Sequence, residues 1–188
     1  AAALIQPALL VMAAMVYNVL DGKVPVALIP LDSAAGLIVN IIFLLIATLG
    51  EEIGWRGVAL PGLQVRYSAL VSSFILGLFW AIWHIPFWLL MDTLDQFGAI
   101  YLVLNFLLLP LTFYMSWIFN HTRSSLLMPV IFHLTFNIVN TALLPVTANL
   151  TAFALFVALE WIGAVLILRH LEPVRAPAID IFRSKASN

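Results

Sequence analysis

Apolar residues in this chain fall into blocks about as long as a bilayer is thick, and the polar residues collect between them. A spanning helix needs about 20 apolar residues. The first block covers roughly 4–20, with Gln6 and Pro7 near its start. Asp21, Gly22 and Lys23, then Pro25, Pro30 and Asp32, read as a loop. The second block starts near 35, runs into Glu51 and Glu52, and continues toward Leu60, with Pro61-Gly62 as its expected stop. Gln64, Arg66 and Tyr67 then make a short interfacial connection. The third block spans about 68–91, with Pro86 near its far end. The fourth covers about 97–119, with a kink expected at Pro110. Asn120, His121, Thr122 and Arg123 form a polar turn. The fifth block is about 124–144, ending near Pro145, and the sixth about 150–170. The pattern predicts an all-α polytopic transmembrane helix bundle of about six spans. It forms a single domain over 1–171, followed by a polar tail over 172–188.

Composition supports the same class. Hydrophobic residues make up 64% of the 188 and charged residues only 9%, with mean hydropathy +1.11. Soluble domains carry about 25% charged residues, so this chain has too little polar surface to coat a globule in water. The net charge of −1 says nothing about nucleic acid, but the chain has no basic cluster to bind it, and none is expected as a partner. Cysteine is absent, which excludes disulfides and thiolate metal sites. The basic residues set an orientation. Arg56, Arg66, Arg123, Arg169, Arg175, Arg183 and Lys185 fall on one side. The alternate loops carry Lys23 against Asp21, Asp32, Asp92 and Asp95. The C-terminal tail and the loops on the Glu-pair side are therefore expected in the cytoplasm.

Five ionisable residues lie inside the predicted spans, Glu51, Glu52, His84, His133 and Glu160, and Arg56 joins them if the second span continues past the Glu pair. A charge at the centre of a bilayer costs about 2.5–3.5 kcal/mol on insertion scales, so adjacent carboxylates in an apolar helix point to a use. Glu52 and Arg56 stand four apart with the acid first, the favoured order for a helical ion pair. That leaves Glu51 on a different face. His133 and Asn137 also stand four apart, so their polar tips point the same way. So do Trp80 and His84. One carboxylate and two histidines on three helices suit hydrolysis. Glu51 would take a proton from water that His84 helps to hold. His133 and Asn137 would donate hydrogen bonds to the oxyanion of a scissile carbonyl. A zinc site on Glu51, His84 and His133 is open on ligand type, although the HExxH spacing of metalloproteases is absent. Glu160 has no such companion and reads as structural or lipid-interface. Gly50, Gly54 and Gly57 read as points where a neighbouring helix approaches the Glu segment.

The run Glu51-Glu52-Ile53-Gly54-Trp55-Arg56, the His84 of the next helix, and His133 with Asn137 together resemble the CAAX prenyl protease and bacteriocin-processing family of intramembrane proteases (CPBP, also called Abi). The family pattern is EExxxR, FxxxH and HxxxN. Glu51, Glu52 and Arg56 fit the first part, and His133 and Asn137 fit the third. The second part departs, because Trp80 stands where the family has Phe. The resemblance implies a membrane-embedded peptidase that acts near the cytoplasmic face on prenylated CAAX proteins or other membrane-tethered peptides, in a bacterial or archaeal plasma membrane. It implies Glu51 as the water-activating base helped by His84, an oxyanion hole of His133 and Asn137, and Glu52, Arg56 and Trp80 in support. No organic cofactor or metal is expected, with a zinc-dependent version the lesser alternative. Two other classes remain open at this point. One is a non-catalytic immunity or scaffolding protein of the same fold. The other is a small transporter that relays protons through the Glu and His residues.

Overall fold

A computed structural model describes residues 2–20, 34–90, 109–142, 150–168 and 170–171. All the regular structure among them is helical. Helix α1 spans Ala2–Leu20 and α2 spans Ala34–Gly54. A π-helical turn, Trp55–Ala59, carries α2 directly into α3, Leu60–Gln64. Then come α4, Ala69–Leu90, α5, Leu109–His121, α6, Leu127–Ala142, and α7, Leu150–Leu168. The first half of the fourth predicted span, the loop after α1 and the tail over 172–188 lie outside the described residues.

Four helical stretches are long and apolar enough to cross a membrane: Ala3–Leu20, Ala35–Gln64, Ala69–Pro86 and Leu150–Leu168. Leu127–Val139 is a shorter apolar helix. Their outward residues are those of a lipid-facing bundle. On α2 alone Ile38, Val39, Ile42, Phe43 and Ile46 are exposed, a surface that water would not tolerate over so many consecutive turns. The chain is a polytopic, all-α integral membrane bundle.

Packing is built on α5, α6 and α7. Helix α5 lies against α4, α6 and α7; α1 lies against α6 and α7; α2 lies against α6. Leu10 and Ala13 of α1 interlock with Ala152, Phe153, Phe156 and Val157 of α7. Trp80 of α4, Leu111, Tyr114 and Met115 of α5 and Phe132 of α6 form the central cluster. Glu160 is fully buried in α7, with Gln6 of α1 as its polar neighbour. It is an interior residue, which removes the lipid-interface half of its sequence reading.

At Gly163 the helices are as close as they can be. A methyl group there would run into the Tyr114 hydroxyl, which donates to the Glu160 carbonyl at 3.2 Å. Gly163→Ala should therefore lower stability by about 1–3 kcal/mol through overpacking, and Tyr114→Phe should recover part of it. Thermal melts in detergent would check this. An unchanged cost in the Tyr114→Phe background would mean that the hydroxyl is not the obstacle.

Two sequence expectations are corrected. Pro61-Gly62 does not stop the second span, which runs unbroken to Gln64. Proline is tolerated at the first turn of a helix, where its missing N–H is not needed. The π turn supplies such a restart: the Leu60 N–H bonds back five residues to the Trp55 carbonyl, and Pro61 follows at once. Asn120 and His121 also belong to α5 and not to the turn after it. The chain reverses at Arg123 and Ser124, both left-handed with φ 57° and 58°.

The longer second span decides the depth of the site. If the helix stopped at the Glu pair, Glu51 would lie at an interface and His84 deep in the bundle. In fact Glu51 lies about 13 residues before the end of α3, and His84 about 15 after the start of α4. At about 1.5 Å per residue, both are roughly 20 Å from the shared turn. The two helices carry them to the same level.

Candidate active site

Glu52 and Arg56 are both fully buried. Arg56 Nη1 donates to Glu52 Oε1 at 2.8 Å, the i,i+4 pair that the spacing predicts. The same oxygen accepts from His133 of α6, with Nδ1 at 2.8 Å. A carboxylate oxygen only accepts, so the Nδ1 of His133 carries a proton. Glu52 therefore joins the π turn to α6 and fixes the plane of the His133 ring.

Glu51 sits on a different face and is half-buried. Trp80 Nε1 of α4 donates to its Oε2 at 2.7 Å. One turn later, His84 Nδ1 lies 2.7 Å from the Trp80 carbonyl. That carbonyl can only accept, so His84 carries its proton on Nδ1 and Nε2 is the ring's acceptor. The Trp80 indole meets His84 edge-to-face at 5.1 Å and 83°, and His133 at 5.4 Å and 88°. The guanidinium of Arg56 lies over its ring, 5.5 Å from the centroid. Asn137 lies one turn beyond His133, and its Nδ2 donates to Thr48 Oγ1 at 3.1 Å. Thr48 is buried on α2, one turn before Glu52.

The structure thus brings Glu51, His84 and His133 around a single indole and ties Asn137 to the helix that carries the Glu pair. Two links were invisible beforehand. Glu52 was expected to serve Arg56 only, yet it also holds His133. Thr48 was overlooked, although its i,i+4 spacing to Glu52 put it on the same helical face. Trp80, expected in a supporting role, is a hydrogen-bond donor to Glu51. Arg56, counted among the loop charges that orient the chain, is buried in the π turn.

A cavity of about 510 Å³ opens beside Glu51. Its walls are Ile46, Ala47, Trp55, Ala59 and Trp83, and Glu51 is its acidic side chain. Gly50 and Gly54 also line it, and a Cβ at either would meet nothing within 4 Å. These two glycines open onto the cavity and do not admit a neighbouring helix, as the sequence had suggested. Of the three, Gly57 alone faces a neighbour, the Leu126 side chain at 3.8 Å. Trp55 and Trp83 close one end, ring edge to ring face at 6.4 Å and 80°. His84, His133 and Asn137 are not part of the lining; of the four expected catalytic side chains, Glu51 is the one that reaches it.

The alternative zinc set was Glu51, His84 and His133. Among the described residues no three His, Asp or Glu side chains are grouped to hold a metal ion. The Nδ1 of His133 is committed to Glu52 and that of His84 to a backbone carbonyl.

A family model described as type II CAAX prenyl endopeptidase Rce1-like matches residues 33–139. This range holds every side chain of the constellation, from Thr48 to Asn137. The CAAX prenyl protease 2 of Methanococcus maripaludis is 37% identical over 112 residues, which cover 56% of this chain and 41% of that protein. The chain thus spans less than half the length of that relative.

Proposed function

Because this chain belongs to the Rce1-like family of type II CAAX prenyl endopeptidases, we propose that it is an intramembrane endopeptidase that hydrolyses a peptide bond near the cytoplasmic membrane face. Its substrate is a membrane-tethered, prenylated protein or peptide. Glu51 takes a proton from a water molecule whose other hydrogen bonds to His84 Nε2. The resulting hydroxide adds to the scissile carbonyl carbon. His133 and Asn137 donate to the oxyanion that forms. The carbon–nitrogen bond then breaks, and Glu51 returns its proton to the departing amine. His133 keeps Nδ1–H on Glu52, so its donor to the oxyanion is Nε2–H, and the ring works as an imidazolium balanced by the Glu52 carboxylate. Asn137 has a second N–H besides the one on Thr48. No metal takes part in this reading.

The observation that carries the proposal is the gathering of Glu51, His84 and His133, from three helices, around the Trp80 indole. The cavity beside Glu51 supports the substrate class. An apolar chamber with one carboxylate accepts an alkyl chain and brings the attached peptide to the base. Arg66 and Arg123 keep the cytoplasmic assignment of the loops that bear them.

The test is reconstitution of the protein with a farnesylated CAAX peptide and its unprenylated twin, with the released tripeptide measured by mass spectrometry. Release from the farnesylated peptide is expected. A folded protein that cleaves neither peptide would refute the proposal. In the same assay Asn137→Ala should slow turnover by about 10²–10³, the worth of one oxyanion donor. A rate equal to the parent would remove Asn137 from the oxyanion hole.

A further inference from the structure

Four of the charged or titratable side chains in the constellation touch one residue that is itself neither. Trp80 is nearly fully buried. It donates from Nε1 to Glu51 Oε2 at 2.7 Å and gives its carbonyl to His84 Nδ1 at 2.7 Å. It also meets the His84 and His133 rings edge-to-face and lies under the Arg56 guanidinium. We infer that Trp80 is a positioning residue for the reaction, and that its indole N–H fixes the Glu51 carboxylate so that one oxygen is aimed at the attacking water. The inference rests on the reading of Glu51 as the base.

The physical argument concerns freedom of rotation. A glutamate has three soft torsions, and the wall beside Glu51 is glycine on both sides, at Gly50 and Gly54, with open space around each. Neither glycine sets a side chain against the carboxylate. A base must hold its oxygen within hydrogen-bond reach of the water, and a misplacement of about 1 Å can cost about 10²-fold in rate. The indole N–H supplies the missing constraint. It binds one oxygen, Oε2, and leaves Oε1 for the water. The family pattern has Phe at this position, which offers an aromatic wall but no donor. The clamp is therefore a property of this sequence that the motif does not predict. It is also pre-set by the scaffold, because Trp80 is held in the central cluster with Leu111, Met115 and Phe132.

Two measurements test it. Trp80→Phe keeps an aromatic ring against His84, His133 and Arg56 and removes only the donor. Turnover per folded molecule should fall about tenfold with KM unchanged, the folded fraction being taken from size exclusion and melting. A kcat equal to the parent, or a rise in KM at constant kcat, would overturn the inference. The second measurement needs neither turnover nor a change at Trp80. With indole-¹⁵N-labelled protein, the six tryptophans give six N–H resonances. The one bound to a carboxylate should lie furthest downfield and move upfield in Glu51→Ala. Six unchanged resonances in that variant would overturn the inference even if Trp80→Phe fails to fold. A protein that shifts the resonance but cleaves no peptide would leave the clamp standing and sink the protease reading instead.

Discussion

Glu51→Gln should abolish peptide cleavage while the protein stays folded. A general base contributes about 10²–10⁴ in rate, and the amide of glutamine cannot take a proton from water. Little structural loss should accompany the change. Glu51 is half-buried at a cavity wall, and Gln retains an oxygen able to accept from Trp80 Nε1. The measurement is release of the farnesylated tripeptide by the purified variant beside its melting curve. A variant with parental turnover would remove Glu51 from the base role. A variant that is inactive because it has unfolded would show that its carboxylate is structural. The adjacent glutamate makes the contrast sharp, since it predicts the opposite pattern.

Glu52→Leu should destabilise the protein severely, by about 3–5 kcal/mol. That is the cost of leaving a buried charge without its partner. Arg56 is fully buried, and its hydrogen bond to Glu52 Oε1 at 2.8 Å is its ion pair. The Nδ1 of His133 loses its acceptor at the same time. Removing both charges should behave differently. Glu52→Leu with Arg56→Met replaces an ion pair by apolar groups, an exchange often neutral or stabilising, so most of the loss should return. Activity should not return with it, because His133 would still lack the carboxylate that orients its ring. Chemical denaturation in detergent micelles of the two single variants and the double variant gives the coupling directly. Additive losses would show that Glu52 and Arg56 do not depend on one another.

Much of this was legible in the chain itself. The spans at 4–20, 68–91 and 150–170 appear within a few residues as α1, α4 and α7, because the length of an apolar run is a direct response to bilayer thickness. The Glu52–Arg56 pair was legible because helical spacing alone makes i and i+4 neighbours. Thr48 was not. A threonine in an apolar helix commonly bonds to its own backbone, as Thr135 does to the Ile131 carbonyl at 2.7 Å, so its type carries no sign of a distant partner. Pro61 was misread for a related reason. Proline after a helix marks a stop in most contexts, and the π turn that lets the helix restart around it has no local propensity to betray it.

The residues alone settled the solvent and the inventory. Hydrocarbon accepts only helices that satisfy their own backbone, and it makes each buried charge costly enough to stand out. What the folded bundle decided is which atom meets which. Glu52 and His133 are 81 positions apart and Asn137 and Thr48 are 89. Their meeting depends on the rotation of one helix against another. An extra residue in a π turn turns everything after it by about 100°. No side chain announces such an offset in advance, because it follows from the packing of the whole bundle and not from the preference of any one segment.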